Sequence, residues 1–148
     1  MEDSIKLRGD VAIVVKDKDG NVKEKREEKN LVVTTGLAYI ASRMKDATAT
    51  AMTHMAVGSG TTAAAAGNTD IESILGSREA LDSTTASGAV ITYVASFEAG
   101  EGTGAVTEAI IANASSGGTC LARVVFSAVN KAADDTMTIT WAITLSAS

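Results

Sequence analysis

The sequence predicts a mainly β protein, an antiparallel β-sandwich or barrel of about seven to eight strands with two short helical insertions. Apolar residues alternate with polar ones along several extended runs, which is the spacing of strands with one buried face. Clusters of Gly, Asn, Asp and Ser separate these runs as turn signals. A length of 148 residues fits one domain, so we treat residues 1–148 as a single β-rich domain.

The first 33 residues are predicted to form an N-terminal hairpin. Apolar residues occupy alternate positions between Ile5 and Val15, and the segment 17–21 (DKDGN) supplies the chemistry of a turn. A charged run from Val22 to Lys29 follows. Lys and Glu also favour helices, but Val22 is the one apolar residue in that run, so we favour an extended second arm.

Residues 34–148 are predicted to form the sandwich, with helices near residues 36–45 and 70–75. Thr34 and Thr35 are possible caps for the first helix. The sequence Thr69-Asp70-Ile71-Glu72 matches a capping box for the second, which Gly76 should end. The apolar stripe of the first helix is predicted to be Leu37, Ile40, Ala41 and Met44, and that of the second Ile71, Ile74 and Leu75.

The remaining strands are predicted from alternation and from the turns between them. The clearest pattern lies near the C-terminus, where Met137, Ile139, Trp141, Ile143 and Leu145 alternate with Thr and Ala. The other predicted strands are 52–57, 78–82, 90–97, 105–112 and 120–126.

Composition excludes several function classes. The net charge is −5 and the isoelectric point is about 4.8, whereas nucleic-acid binders carry a basic surface that neutralises phosphates. No run approaches the ~20 apolar residues of a membrane-spanning helix, and the mixed-charge start lacks the apolar region of a signal peptide. Cys120 is the single cysteine, so no disulfide can form within the chain. We therefore expect folding in a cytoplasm, with neither nucleic acid nor membrane as a partner.

We predict that the protein is not an enzyme and that it has no cofactor and no metal site. His54 is the single histidine and is interpreted as a partly buried strand residue, and Cys120 as a small buried hydrophobe. Residues 17–28 match part of a calcium-loop template, but Val22 occupies the position that requires Gly. The glycine-rich segment 100–105 precedes a predicted strand, whereas a dinucleotide site needs a helix there. Glu98, Glu101 and Glu108 leave a carboxylate pair open, although nothing in their spacing selects one.

An ordered series of segments from Gly36 onward resembles a known family. The segments are 36–41 (GLAYIA), 55–61 (MAVGSGT), 69–75 with Arg78, 90–97, 106–114 (VTEAIIANA) and 117–123 (GGTCLAR). In this order they are similar to the N-terminal, virion-proximal domain of bacteriophage tail-collar and tail-fibre proteins and to small phage structural proteins. The chain departs from the family pattern at Ala109, where members usually carry Gly.

The resemblance implies a virion structural protein that is assembled in the host cytoplasm. Fibre proteins continue into a long shaft, whereas this chain ends at Ser148, so we expect an accessory subunit that coats or joins. We favour a capsid decoration (cement) protein over a tail-fibre or baseplate adaptor of the tail-collar type. A third hypothesis, a carbohydrate-binding or hydrolytic β module, would need clustered aromatics or an acid pair, and aromatics make up 3% of the chain.

The expected partners are the protein itself, as a homo-oligomer and specifically a trimer, and other phage structural proteins such as major capsid or tail proteins. A core of small aliphatic side chains removes little area from water per residue, which favours stabilisation by subunit contacts. Chains without proline lack one common protection of sheet edges. The loop residues predicted to allow close approach of a neighbouring subunit are Gly58, Ser59, Gly60, Gly100, Gly102 and Gly104.

Overall fold

A computed structural model of the chain describes residues 4–147. Residues 1–3 of the predicted hairpin and residue 148 of the predicted domain lie outside that range. The described residues form ten strands and one helix, α1 (Thr34–Lys45). The strands are β1 (Ile5–Lys16), β2 (Val22–Lys29), β3 (Leu31–Val32), β4 (His54–Gly58), β5 (Glu79–Ala80), β6 (Ser83–Ser87), β7 (Val90–Phe97), β8 (Gly104–Ala112), β9 (Cys120–Lys131) and β10 (Thr136–Ala147).

The strands form two antiparallel sheets of five strands each, which confirms the predicted mainly β class. The first sheet has the order β2-β1-β10-β7-β6 and the second the order β3-β9-β8-β4-β5. All neighbouring strands in both sheets are antiparallel. Two strands, β3 and β6, have no counterpart among the predicted ones. Each is short and lacks an apolar alternation that would mark it.

Side chains from both sheets belong to one hydrophobic cluster. Ile13, Phe97 and Trp141 of the first sheet and Met55 and Ile111 of the second are all 0% exposed members of it. The alternation predicted for the last strand is confirmed, since Met137, Ile139, Trp141 and Ile143 are buried while Thr138 and Thr140 are exposed. This burial of alternate residues is what fixes the register of β10 between β1 and β7.

The segment between β1 and β2 is a hairpin turn. Asp17 Oδ1 accepts hydrogen bonds from the backbone N–H groups of Asp19 and Asn21, both at 2.9 Å, and Gly20 adopts φ +86°. The Asp17 carboxylate is therefore part of the turn itself. Its hydrogen bond from the backbone of Asn21 holds the pKa of Asp17 below its ordinary value.

The first predicted helix exists, and Ile40 of its predicted apolar stripe packs against the hydrophobic cluster, but the rest of that stripe is exposed. Leu37 and Met44 of the predicted apolar stripe are 49% and 80% exposed, and Gly36 is the buried residue of α1. Thr34 and Thr35 lie inside the helix rather than capping it, and Thr35 Oγ1 donates to the carbonyl oxygen of Cys120 at 2.9 Å. Close approach at Gly36 sets which side of α1 faces the sheet, and this overrides the apolar spacing.

The second predicted helix, at residues 70–75, is wrong. Ile74 forms an isolated antiparallel bridge with Gly58, and the N–H of Leu75 donates to the carbonyl of Val57 at 2.9 Å. Glu72 does not complete the predicted capping box, because its carboxylate accepts hydrogen bonds from the N–H groups of Thr61 and Thr62 instead. The backbone of this segment therefore bonds to the end of β4 and not to itself.

Candidate functional site

A buried ion pair lies at the centre of the second sheet. Glu108 on β8 is 0% exposed and Arg123 on β9 is 1% exposed. Glu108 Oε2 accepts from Arg123 Nη2 at 2.9 Å and from the N–H of Glu72 at 3.0 Å, while Oε1 accepts from the N–H groups of Ser73 at 2.7 Å and Gly60 at 2.9 Å. The carboxylate is thus surrounded by donors from three segments of the chain.

The guanidinium of Arg123 extends the same network toward solvent. Its Nη1 donates to the carbonyl of Thr62 and to Oδ1 of Asn68, both at 3.0 Å. The pair therefore holds the segment from Gly60 to Ser73 against the outer face of the second sheet. The polar atoms of Glu108 and Arg123 have hydrogen-bond partners within the chain, so we assign the two residues a structural role.

Gly58 and Gly60, predicted as subunit contacts, belong to this internal network. Both are buried, and a side chain at either position would overlap the carboxylate of Glu108. The need for glycine at both positions is therefore internal, and subunit contact at Gly58 and Gly60 stays a prediction. Ser59 between them is exposed, and for it a subunit contact stays a prediction.

The second glycine loop also packs against its own chain. Gly102 is buried with φ +59°, and a Cβ there would lie 2.7 Å from Cγ2 of Val57. Gly104 is half-buried beside Leu75, while Gly100 is exposed at the loop tip. The need for glycine at 102 is therefore internal, and subunit contact stays a prediction for Gly100, Gly102 and Gly104.

Two further buried charges lie at the two ends of the loop between β9 and β10. Lys131 is 1% exposed and its Nζ donates to the carbonyl of Glu98 at 2.9 Å; desolvation lowers the pKa of its amine. Asp135 accepts from Lys23 Nζ at 2.6 Å and from the N–H of Ala132 at 2.8 Å. The hydrogen bond from Lys23 holds the pKa of Asp135 below its ordinary value. Both groups fasten the ends of strands.

His54 and Cys120, which were considered for catalysis, are not part of these buried charge networks. His54 is half-buried on β4, as predicted, and its Nδ1 lies 2.8 Å from Oγ1 of Thr53. Cys120 is buried, as predicted, and burial raises the pKa of its thiol to about 11. A thiol with that pKa is almost entirely protonated near neutral pH and is a poor nucleophile. Within residues 4–147, no three His, Cys, Asp or Glu side chains converge as a metal site would require.

An open apolar cavity of about 420 Å³ separates α1 from the first sheet. We call it the β6 groove. Its apolar walls come mainly from the helix and from β7 and β10, and two residues of β6, Thr84 and Ala86, form its border. The lining residues are Tyr39, Ile40, Arg43, Met44, Ala51, Met52, Thr84, Ala86, Ile91, Tyr93, Leu121, Ile143 and Leu145.

Apart from Thr84, three polar side chains line this groove. Tyr93 is 5% exposed, and burial raises the pKa of its hydroxyl to about 12. Tyr39 lies close enough to contribute to that shift, and Arg43 acts against it. Arg43 Nη1 donates to the carbonyl of Ala49 at 2.7 Å, and Arg43 forms no ion pair with the residues described. The groove is therefore apolar with one cation at its wall.

The two outer strands of the first sheet differ in charge. In β2 every residue after Val22 is charged, and Arg26 pairs with Glu24 at 2.7 Å and with Glu28 at 3.5 Å. β6 has the sequence Ser-Thr-Thr-Ala-Ser, is exposed along its whole length and carries no charge. It pairs with β7 on one side and with no described strand on the other. We call this free side the β6 edge.

Sequence reasoning missed both the β6 edge and the groove beside it. The available signals were weak: Thr is common in strands, and Gly88-Ala89 fits a two-residue hairpin loop, with φ +57° at Gly88.

Comparisons with protein-family models, curated proteins and solved structures gave no match to this chain. Across residues 4–147, no helix combines the length and apolar character needed to cross a bilayer.

Proposed function

We propose that this protein is a bacteriophage virion structural protein, a small self-associating subunit that docks on the particle surface. The proposal includes an antiparallel sandwich, with the two sheets facing each other across their shared hydrophobic cluster. Its phage assignment rests on the resemblance of the segments between Gly36 and Arg123 to tail-collar and related structural proteins.

The observation that carries the proposal is the β6 edge beside the open β6 groove. Free strand edges bind extended protein segments through backbone hydrogen bonds, and neighbouring apolar pockets add side-chain contacts. Proteins normally protect such edges with charge, as β2 is protected here. An uncharged edge next to an apolar groove is therefore expected where a protein partner binds.

The buried ionisable groups support the same function. Glu108, Arg123, Lys131 and Asp135 each have hydrogen-bond partners within the fold, and they hold loops and strand ends in place. Their arrangement suits a rigid body that presents a surface. We therefore favour assembly over catalysis.

We favour a capsid decoration subunit over a tail-fibre or baseplate adaptor, and copy number separates the two. Particles of the phage that encodes the chain would be purified and the protein quantified by gel densitometry against the major capsid protein. Decoration predicts hundreds of copies per particle, and an adaptor predicts a handful. Absence from purified particles would refute the virion assignment.

A further inference from the structure

We propose that the partner of the β6 edge is the β6 edge of a second copy, paired antiparallel about a two-fold axis that passes through Thr85. This deepens the proposed function and rests on the assignment of the edge as an association surface. The first sheet of one copy would then continue into the first sheet of the other through a β6–β6 pair. A two-fold interface of this kind is self-complementary, because each contact occurs twice.

The sequence of β6 is compatible with pairing to itself. In an antiparallel pair centred on residue 85, Thr85 faces Thr85, Thr84 faces Ala86, and Ser83 faces Ser87. Every facing pair combines small or hydroxyl side chains, and none places like charges together. The central Thr85–Thr85 pair is of a kind that is favourable between neighbouring strands.

The other sheet edges are less suited to this role. β2 carries a dense row of charges, and charged edges resist pairing. β3 and β5, the outer strands of the second sheet, are two residues long each and offer few backbone groups. β6, with five residues, is the longest uncharged edge in residues 4–147.

Pairing would also bring the two β6 grooves onto one face of the joined sheet. Thr84 and Ala86 line the β6 groove, so their alternation places Ser83, Thr85 and Ser87 on the opposite face of the sheet. In the pair, Thr84 and Ala86 of both copies become neighbours, and the two grooves lie on either side of them. A contact through five residues is small, so we expect weak association in solution that is strengthened by many copies on one particle.

Disulfide trapping tests this register directly. In the Thr85→Cys variant the two introduced thiols face each other at a Cα separation of about 4.5 to 5.5 Å, which a disulfide can bridge. Cys120 is buried and does not compete. Mild oxidation at about 0.5 mM protein, where even a weak dimer is populated, should convert most of Thr85→Cys to a covalent dimer on a non-reducing gel.

Two matched variants control for random collision. Ser83→Cys and Ser87→Cys each lie two residues from the axis, so their own copies are about 14 Å apart and should stay monomeric when oxidised alone. A mixture of the two should form the mixed dimer, because residue 83 faces residue 87 of the second copy. Equal cross-linking of all three single variants would overturn the two-fold register.

A charge variant supplies a second measurement that needs no cysteine. Thr85→Lys puts two like charges directly opposite each other and should raise the dimer dissociation constant about tenfold or more in sedimentation velocity. Thr85→Val keeps the strand uncharged and should leave association within about twofold of the parent chain. Association that is indifferent to Thr85→Lys, or a trimer as the smallest oligomer, would overturn the β6–β6 pair while leaving virion assembly intact. A chain that stays monomeric and is absent from particles would refute both.

Discussion

Glu108 and Arg123, on adjacent strands of the second sheet, form an ion pair that is inaccessible to water. Oε2 of Glu108 lies 2.9 Å from Nη2 and 3.1 Å from Nε of Arg123, so one carboxylate oxygen receives both guanidinium donors. Oε1 of the same carboxylate faces two backbone N–H groups. A buried charge is tolerated only when its partners are in place. The ion pair therefore fixes the position of the loop that supplies these two N–H groups.

Removal of the cation should destabilise the fold strongly. Arg123→Leu leaves the carboxylate of Glu108 buried without its counter-charge, and losses of this kind lower the free energy of unfolding by about 3 to 5 kcal/mol. Urea unfolding followed by Trp141 fluorescence would measure the change. The matched surface control is Arg8→Leu, which breaks the exposed pair with Asp10 and should change stability by at most about 1 kcal/mol. Equal effects of the two substitutions would contradict the structural role of Arg123.

Gly58 should not tolerate a side chain, although alanine is the smallest addition possible. A Cβ at this position would overlap both Oε1 of Glu108 and the carbonyl oxygen of Ser73. Overpacking of a dense site typically costs about 1 to 3 kcal/mol, and Gly58→Ala should lower the urea midpoint accordingly. Gly67→Ala is the control, because a Cβ at residue 67 would meet no other atom within 4 Å. It should be neutral or slightly stabilising, and a loss as large as that at Gly58 would contradict the packing argument.

The strands with one solvent-exposed face could be predicted from the sequence, because buried and exposed residues alternate along them. In β10 every second residue from Met137 to Ile143 is buried, and in β7 the buried residues are Tyr93, Ala95 and Phe97. β8 obeys no such period: its residues from Val106 to Ala112 are all buried, since the segment around Glu72 covers the face that would otherwise be wet.

Non-local contacts explain what sequence reasoning missed. The capping-box pattern at Thr69 was a genuine local signal, but Glu108, 36 residues from Glu72, draws the N–H groups of Glu72 and Ser73 away from a helix. The side of α1 that faces the sheet depends on Gly36 and Leu121, which only the fold brings together. The β6 edge escaped because all five of its residues are exposed, so no apolar spacing marked it.

Gly36 should be required for docking of the helix against β9. Whether Gly36→Ala raises or lowers the free energy of unfolding tests this directly. In a free helix, Gly→Ala stabilises by about 1 kcal/mol. Here a Cβ would overlap the carbonyl oxygen of Leu121, so Gly36→Ala should instead lower the free energy of unfolding by about 1 to 3 kcal/mol. The exposed Ala41, mutated to Gly, reports helix propensity alone and should cost about 1 kcal/mol. A stabilised Gly36→Ala variant in urea unfolding would mean that α1 does not lie against β9.

Deprotonation of the buried Tyr93 hydroxyl should lower the free energy of unfolding at alkaline pH. Burial raises the pKa of its hydroxyl from 10.0 to about 12, so the folded state holds the proton more tightly than the unfolded state does. The resulting stabilisation is fully present below pH 10 and is lost progressively between pH 10 and about 12. Urea midpoints measured across that window should decline less in Tyr93→Phe than in the parent chain. Cys120 has a raised thiol pKa and acts in the same direction between its ordinary 9.0 and about 11, so both chains should be compared in a Cys120→Ala background. Identical pH profiles for the two chains would show that the Tyr93 hydroxyl is not buried beside the β6 groove.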